Sequence, residues 1–102
     1  MVYKSILGKD FVLTSERKQH ILIYHPDIKP YLSKLKEVFL EPDDIRISES
    51  DESVLLFYKY FDNIMDGKYI VGVVKINSRS FVLTAYLSNR ILSGEKYEYE
   101  TK

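Results

Sequence analysis

Apolar and polar positions follow two different periods along this chain. Between residues 28 and 39, Ile28, Tyr31, Leu32, Leu35, Val38 and Phe39 recur at the i, i+3, i+4, i+7 spacing of one buried helical stripe. Lys34, Lys36 and Glu37 lie on the other side, and Pro42 with Asp43-Asp44 closes the segment. This spacing predicts a helix over roughly 30–40, starting as early as Asp27. An earlier helix begins at Thr14-Ser15, where either hydroxyl can cap free backbone N–H groups and Glu16 suits the positive end of the dipole. It ends near Tyr24 or His25, because Pro26 disfavours helical geometry in the residue before it. On its wheel Ile21 and Tyr24 mark the buried side, with His20 at the flank, one turn from both Glu16 and Tyr24. Ahead of it, residues 2–13 alternate loosely around Gly8-Lys9-Asp10, as a short strand or hairpin does.

From residue 45 the period becomes two. Ile45 and Ile47 start a strand, and 48–53 is a polar turn. Val54–Phe61, "VLLFYKYF", is the strongest strand signal, being long, aromatic and rich in β-formers. Asp66-Gly67 is a turn dipeptide. Tyr69–Ile76 and Phe81–Leu87 are two further strands, joined by Asn77-Ser78-Arg79. After a turn at Ser93-Gly94, Lys96–Glu100 reads as an added edge strand or a frayed tail. The expected fold class is α+β, with two N-terminal helices packed on one face of a four-stranded antiparallel meander sheet.

With 102 residues, 45% of them hydrophobic, the chain reads as a single domain over 1–102 with a core that requires neither metal nor disulfide. It has no cysteine, which excludes disulfides, thiolate zinc sites and cysteine nucleophiles. Fifteen basic and fifteen acidic residues balance to zero, which argues against broad non-specific nucleic-acid binding but leaves room for a local basic groove. No apolar run approaches the roughly 20 residues that span a bilayer, and the N-terminus lacks a signal-peptide apolar region. The expectation is a cytoplasmic protein with no membrane partner.

Polar residues inside the central strands are the candidates for chemistry. Lys59 interrupts "FYKYF", Lys75 ends "VGVVK", and Thr84 and Tyr86 share one face of "VLTAYL". Lys75 joins that face if the following turn has two residues, and moves to the other if the loop has three. Each has an ordinary reading: lysines near strand ends snorkel to water, and threonine and tyrosine favour strands. The only two histidines stand in "HILIYH". His20 lies at the rim of the helix–sheet interface, where an imidazole can exchange protons near neutral pH. His25, against Pro26, is first a helix terminator. Their spacing of five does not put both on one helical face, so a metal pair is disfavoured. No Gly-rich phosphate loop or nucleophile elbow is present.

Taken in order, "ERKQHILIYHPDIKPYL", "EPDDI", "LLFYKYF", "GKYIVGVVK" and "FVLTAYLSNRI" resemble the phage- and mobile-element-associated domains of the barnase–EndoU–colicin–RelE ribonuclease superfamily. The likeness runs from about Ser15 to Glu95. It implies a toxin-like or phage-associated, metal-independent ribonuclease without a cofactor, in which the ribose 2′-hydroxyl attacks the adjacent phosphate. Under that resemblance His20 is the acid/base, Lys59 and Lys75 clamp the phosphate, and Thr84 donates a hydrogen bond to it. Tyr86 stacks on a base or donates its hydroxyl. Arg17 and Arg90 contact the RNA backbone, and His25 stands as an alternative to His20. The implied partners are an RNA substrate and a protein inhibitor or toxin–antitoxin partner, with oligomeric state open. The competing expectation is a non-catalytic protein-binding module, whose mark is an exposed apolar patch built from Phe57, Tyr58, Tyr60 and Phe81.

Overall fold

In the computed structural model, residues 1–92 and 94–99 are described. A short hairpin opens the chain, β1 (Val2–Lys4) against β2 (Asp10–Val12). The first helix, α1 (Ser15–Tyr24), is capped by Thr14, whose side chain accepts from the Arg17 amide. His25 leaves helical geometry at φ −133°, as a residue preceding proline must. The next segment, Pro26–Lys34, is a 3₁₀ helix that becomes α-helical only over α2 (Leu35–Leu40). Pro30 sits inside the 3₁₀ stretch, where a missing N–H and a clashing ring would break a regular α-helix. The apolar stripe survives this change of winding: Ile28, Leu35, Val38 and Phe39 are all fully buried.

Strands β3 (Asp44–Ile47), β4 (Val54–Phe61), β5 (Lys68–Lys75) and β6 (Phe81–Ser88) pair antiparallel in sequence order. They are not the whole sheet. The expected four-stranded meander with two N-terminal helices is corrected to a mixed seven-stranded sheet in the order β1-β2-β6-β5-β4-β3-β7, with the helices following a β-hairpin. Two additions account for the difference. A parallel bridge, Val12 to Phe81, attaches the N-terminal hairpin to β6. At the other edge β7 (Glu95–Lys96) pairs with β3, so the connection from β6 has to cross a sheet face. Both depend on contacts remote in sequence, to which local periodicity is blind.

Strand alternation divides the core. One face carries Leu55, Phe57, Ile70, Val74 and Ala85 against the helices. There Phe39 of α2 lies over Gly72, and a Cβ at that glycine would stand 2.6 and 2.7 Å from Phe39 ring atoms. Gly72 is flanked in register by Phe57 and Ala85, so a small pair beside a large ring makes the hollow. Phe39 meets Phe11 and Phe57 edge-on, at centroid distances of 5.2 and 5.3 Å. The other face buries Val54, Tyr58, Val71 and Val73, and Ile91 from the crossing connection packs on it. Burial raises the pKa of the Tyr58 hydroxyl there, opposed by the Leu92 backbone and the Arg46 charge.

The polar turn between β3 and β4 is built around Asp51, which accepts from the Ser53 amide at 2.9 Å and the Ser53 hydroxyl at 2.6 Å. Its other oxygen pairs with Lys75. The Lys75 hydrogen bond first, then those from Ser53, hold the Asp51 carboxyl well below the usual carboxylate range. A lowered carboxyl stabilises the fold above its unfolded-state value, about 3.9, and loses that contribution as pH falls through the folded-state value.

Two outcomes follow for this frame. Gly72→Ala forces the Phe39 ring off the sheet, and denaturant unfolding is expected to show a loss of about 1–3 kcal/mol. Lys75→Met is expected to raise the Asp51 titration toward the ordinary range in carbon-detected NMR. An unmoved Asp51 midpoint would show that Lys75 does not hold that carboxylate.

Candidate functional site

The docked side of α1 is narrow. Ile21 is fully buried, and Arg17, Leu22 and His25 are half-buried, so residues 17, 21 and 25 form the row that meets the sheet. One position round the helix, Glu16, His20 and Tyr24 form a second row, and all three are exposed. Tyr24 therefore does not share the buried side with Ile21: it is 67% exposed. Its ring touches that of His20, at a centroid distance of 4.6 Å.

The start of α1 borders a cleft of about 480 Å³. Thr14, Glu16, Arg17 and His20 line one side, Arg79 and Phe81 another, with Val12 and Val82 between. The Val12–Phe81 bridge explains the meeting. It holds the end of β2 beside the start of β6, so the first turn of α1 comes to rest next to the β5–β6 loop that carries Arg79. The Thr14 hydroxyl is committed to the Arg17 amide at 3.1 Å, which fixes the first turn.

Among the described residues, ion pairs join Lys4 to Asp10, Arg46 to Asp44 and Lys75 to Asp51, and none involves Arg17 or Arg79. Two unpaired guanidinium groups at the positive end of a helix favour an anion. One carboxylate, Glu16, and one imidazole, His20, stand a helical turn apart at the same opening. The arrangement suits a phosphodiester, with cations to hold its oxygens and two groups able to exchange protons. A separate groove of about 570 Å³ beside β1 and α2 has no histidine or carboxylate in its lining. Among the described residues, no three histidine, aspartate or glutamate side chains gather as a metal site.

The residues singled out from the sequence are dispersed. His20 and Arg17 line the cleft. Lys59 has the strand parity of Phe57 and Phe61, on the helix-bearing face, where its ammonium donates to the Glu41 carbonyl at 2.8 Å. It thus caps the end of α2, a favourable position for a cation. Lys75 lies on the opposite face with Thr84, since Val73 pairs with Thr84 before a bulge, and it is held by Asp51. Tyr86 is half-buried on that same face, and its ring stands 5.4 Å from that of His25. Burial, then the neighbouring Tyr58, pushes the Tyr86 hydroxyl up, so at neutral pH it can donate a proton in a hydrogen bond but not act as a base. Arg90 belongs to the turn after Ser88, at the far end of β6 from the cleft.

Sequence reasoning overlooked two members of the cleft. Glu16 was legible: its four-residue spacing from His20 puts both on one helical row. Arg79 was not, because it reaches the site only through the tertiary bridge between β2 and β6. No helix among the described residues is long and apolar enough to cross a membrane. No protein-family model, curated protein or solved structure matches the chain, so the chemistry of the cleft rests on its own side chains.

Proposed function

We propose that this protein is a metal-independent endoribonuclease whose active site is the α1 cleft. The observation that carries the reading is the presence of Glu16, Arg17, His20 and Arg79 around one opening. RNA transesterification needs those four functions. Glu16 takes the proton from the ribose 2′-hydroxyl, and that oxygen bonds to the adjacent phosphorus. His20, as imidazolium, gives a proton to the departing 5′-oxygen as its bond to phosphorus breaks. Arg17 and Arg79 neutralise the charge that grows on the non-bridging oxygens. The products are a 2′,3′-cyclic phosphate and a free 5′-hydroxyl.

The ordered likeness to the barnase–EndoU–colicin–RelE domains supports the same reaction, with a cation set moved from Lys59 and Lys75 to Arg17 and Arg79. A net charge of zero argues against broad non-specific binding and fits a selected RNA target, and the resemblance implies a toxin-like or phage-associated setting. An exposed patch of Phe57, Tyr58, Tyr60 and Phe81 would favour the protein-binding alternative; Phe57 and Tyr58 are fully buried and Phe81 half-buried, while Tyr60 is exposed.

Incubation with total cellular RNA in EDTA is expected to yield fragments ending in cyclic phosphate. His20→Ala and Glu16→Gln should each lower the rate by at least about 100-fold. Lys59→Ala, which removes only the α2 cap, should stay within a few-fold of wild type. RNA left intact at high protein concentration overturns the proposed activity. Cleavage unchanged by both cleft variants overturns the assignment of its residues.

A further inference from the structure

The nine tyrosines of this chain divide by environment. Tyr3 and Tyr58 are buried, while Tyr31, Tyr69, Tyr86, Tyr97 and Tyr99 are half-buried. Tyr60 is 46% exposed but rests edge-on against Tyr69, at 5.2 Å. Tyr24 differs from these: at 67% exposure its ring contact is with His20, a side chain of the cleft. Core packing does not account for its place, since the docked row of α1 runs through Ile21 instead.

Its geometry suits a ligand. Glu16, His20 and Tyr24 continue one row along α1, so the Tyr24 backbone lies about 6 Å along the axis from that of His20, and the two rings are in contact. The helix fixes its backbone, and the His20 ring restrains its side chain. A ring with only two torsions to order loses little entropy when a flat partner lies on it. Single-stranded RNA offers such partners, because its unstacked bases can turn onto aromatic side chains while the phosphates follow cationic groups.

We propose that Tyr24 is the base-stacking platform of the cleft, holding a nucleobase of single-stranded RNA on its exposed ring while the adjoining phosphate sits by Arg17 and Arg79. This rests on the ribonuclease reading of that cleft. It makes unpaired RNA the substrate form, since a base locked in a duplex cannot reach the ring. Stacking is tolerant of base identity, so the platform sets strand form and register more than sequence.

The test uses a 2′-O-methyl oligonucleotide, which has no free 2′-hydroxyl to attack and so stays intact, with affinity read by fluorescence anisotropy. Tyr24→Ala is expected to weaken binding at least fivefold, and Tyr24→Phe to remain within twofold of wild type. Removing single bases from the oligonucleotide should identify one position whose loss weakens wild type by the same factor. At that position the Tyr24→Ala protein should show no further loss, as partners in one contact must. Equal affinity of wild type and Tyr24→Ala overturns the platform, and so do losses that multiply at every abasic position. If wild type still cleaves unmodified RNA in those cases, the proposed activity stands without the platform. If wild type neither binds nor cleaves, both fall.

Discussion

The seating of Phe39 over Gly72 is the contact on which the rest of the architecture depends. A ring can come this close to a strand only where the strand has no side chain, and β5 supplies that gap between Phe57 and Ala85. Phe39 then becomes the hub of an edge-to-face group with Phe11 and Phe57, geometry that adds to the gain from apolar burial. The same residue also organises the N-terminus, because its carbonyl accepts from the Ile6 amide at 3.0 Å. From there the order runs outward through the β1–β2 hairpin, across the Val12–Phe81 bridge, to the first turn of α1. The cleft is thus assembled at the end of a chain of contacts that begins in the core.

This construction reconciles a neutral chain with the proposed phosphate site. Most basic side chains in the sheet are already committed. Lys75 holds the Asp51 turn, Lys59 caps α2, and Arg46 pairs with Asp44. Arg17 and Arg79 differ, because the fold brings them to one opening and, among the described residues, neither has an ion-pair partner. Local concentration of unpaired charge, rather than net charge, decides where a phosphate is attracted.

What the sequence disclosed follows the range of the forces involved. The Thr14 cap, the stop before Pro26, the strand Val54–Phe61 and the buried positions Ile28, Leu35, Val38 and Phe39 are local, and all appear in the structure. The sheet was misjudged because three-residue β2 joins β6 and two-residue β7 joins β3 across long sequence separations, although residues 2–13 read locally as a strand or hairpin. Tyr24 was placed inward because a wheel cannot say which way the buried face widens, and α1 turns Ile21 and Leu22, not Tyr24, to the core. Lys59, assigned under the resemblance to a phosphate clamp, instead donates to a helix-end carbonyl. His20, singled out for its imidazole and by the resemblance, lines the α1 cleft. Arg79, which lines the same cleft from the β5–β6 loop, is brought there by the Val12–Phe81 pairing, which no local pattern encodes.

Chemical-shift mapping with a 2′-deoxy oligonucleotide tests the central claim most directly, since that ligand binds without being cleaved. The account predicts that perturbed amides and side chains cluster at residues 14–24 and 79–82, with the Arg17 and Arg79 guanidinium signals among the largest. Perturbations centred on Lys59 and Glu41, or on Lys75 and Asp51, with the α1 cleft unmoved, would contradict it.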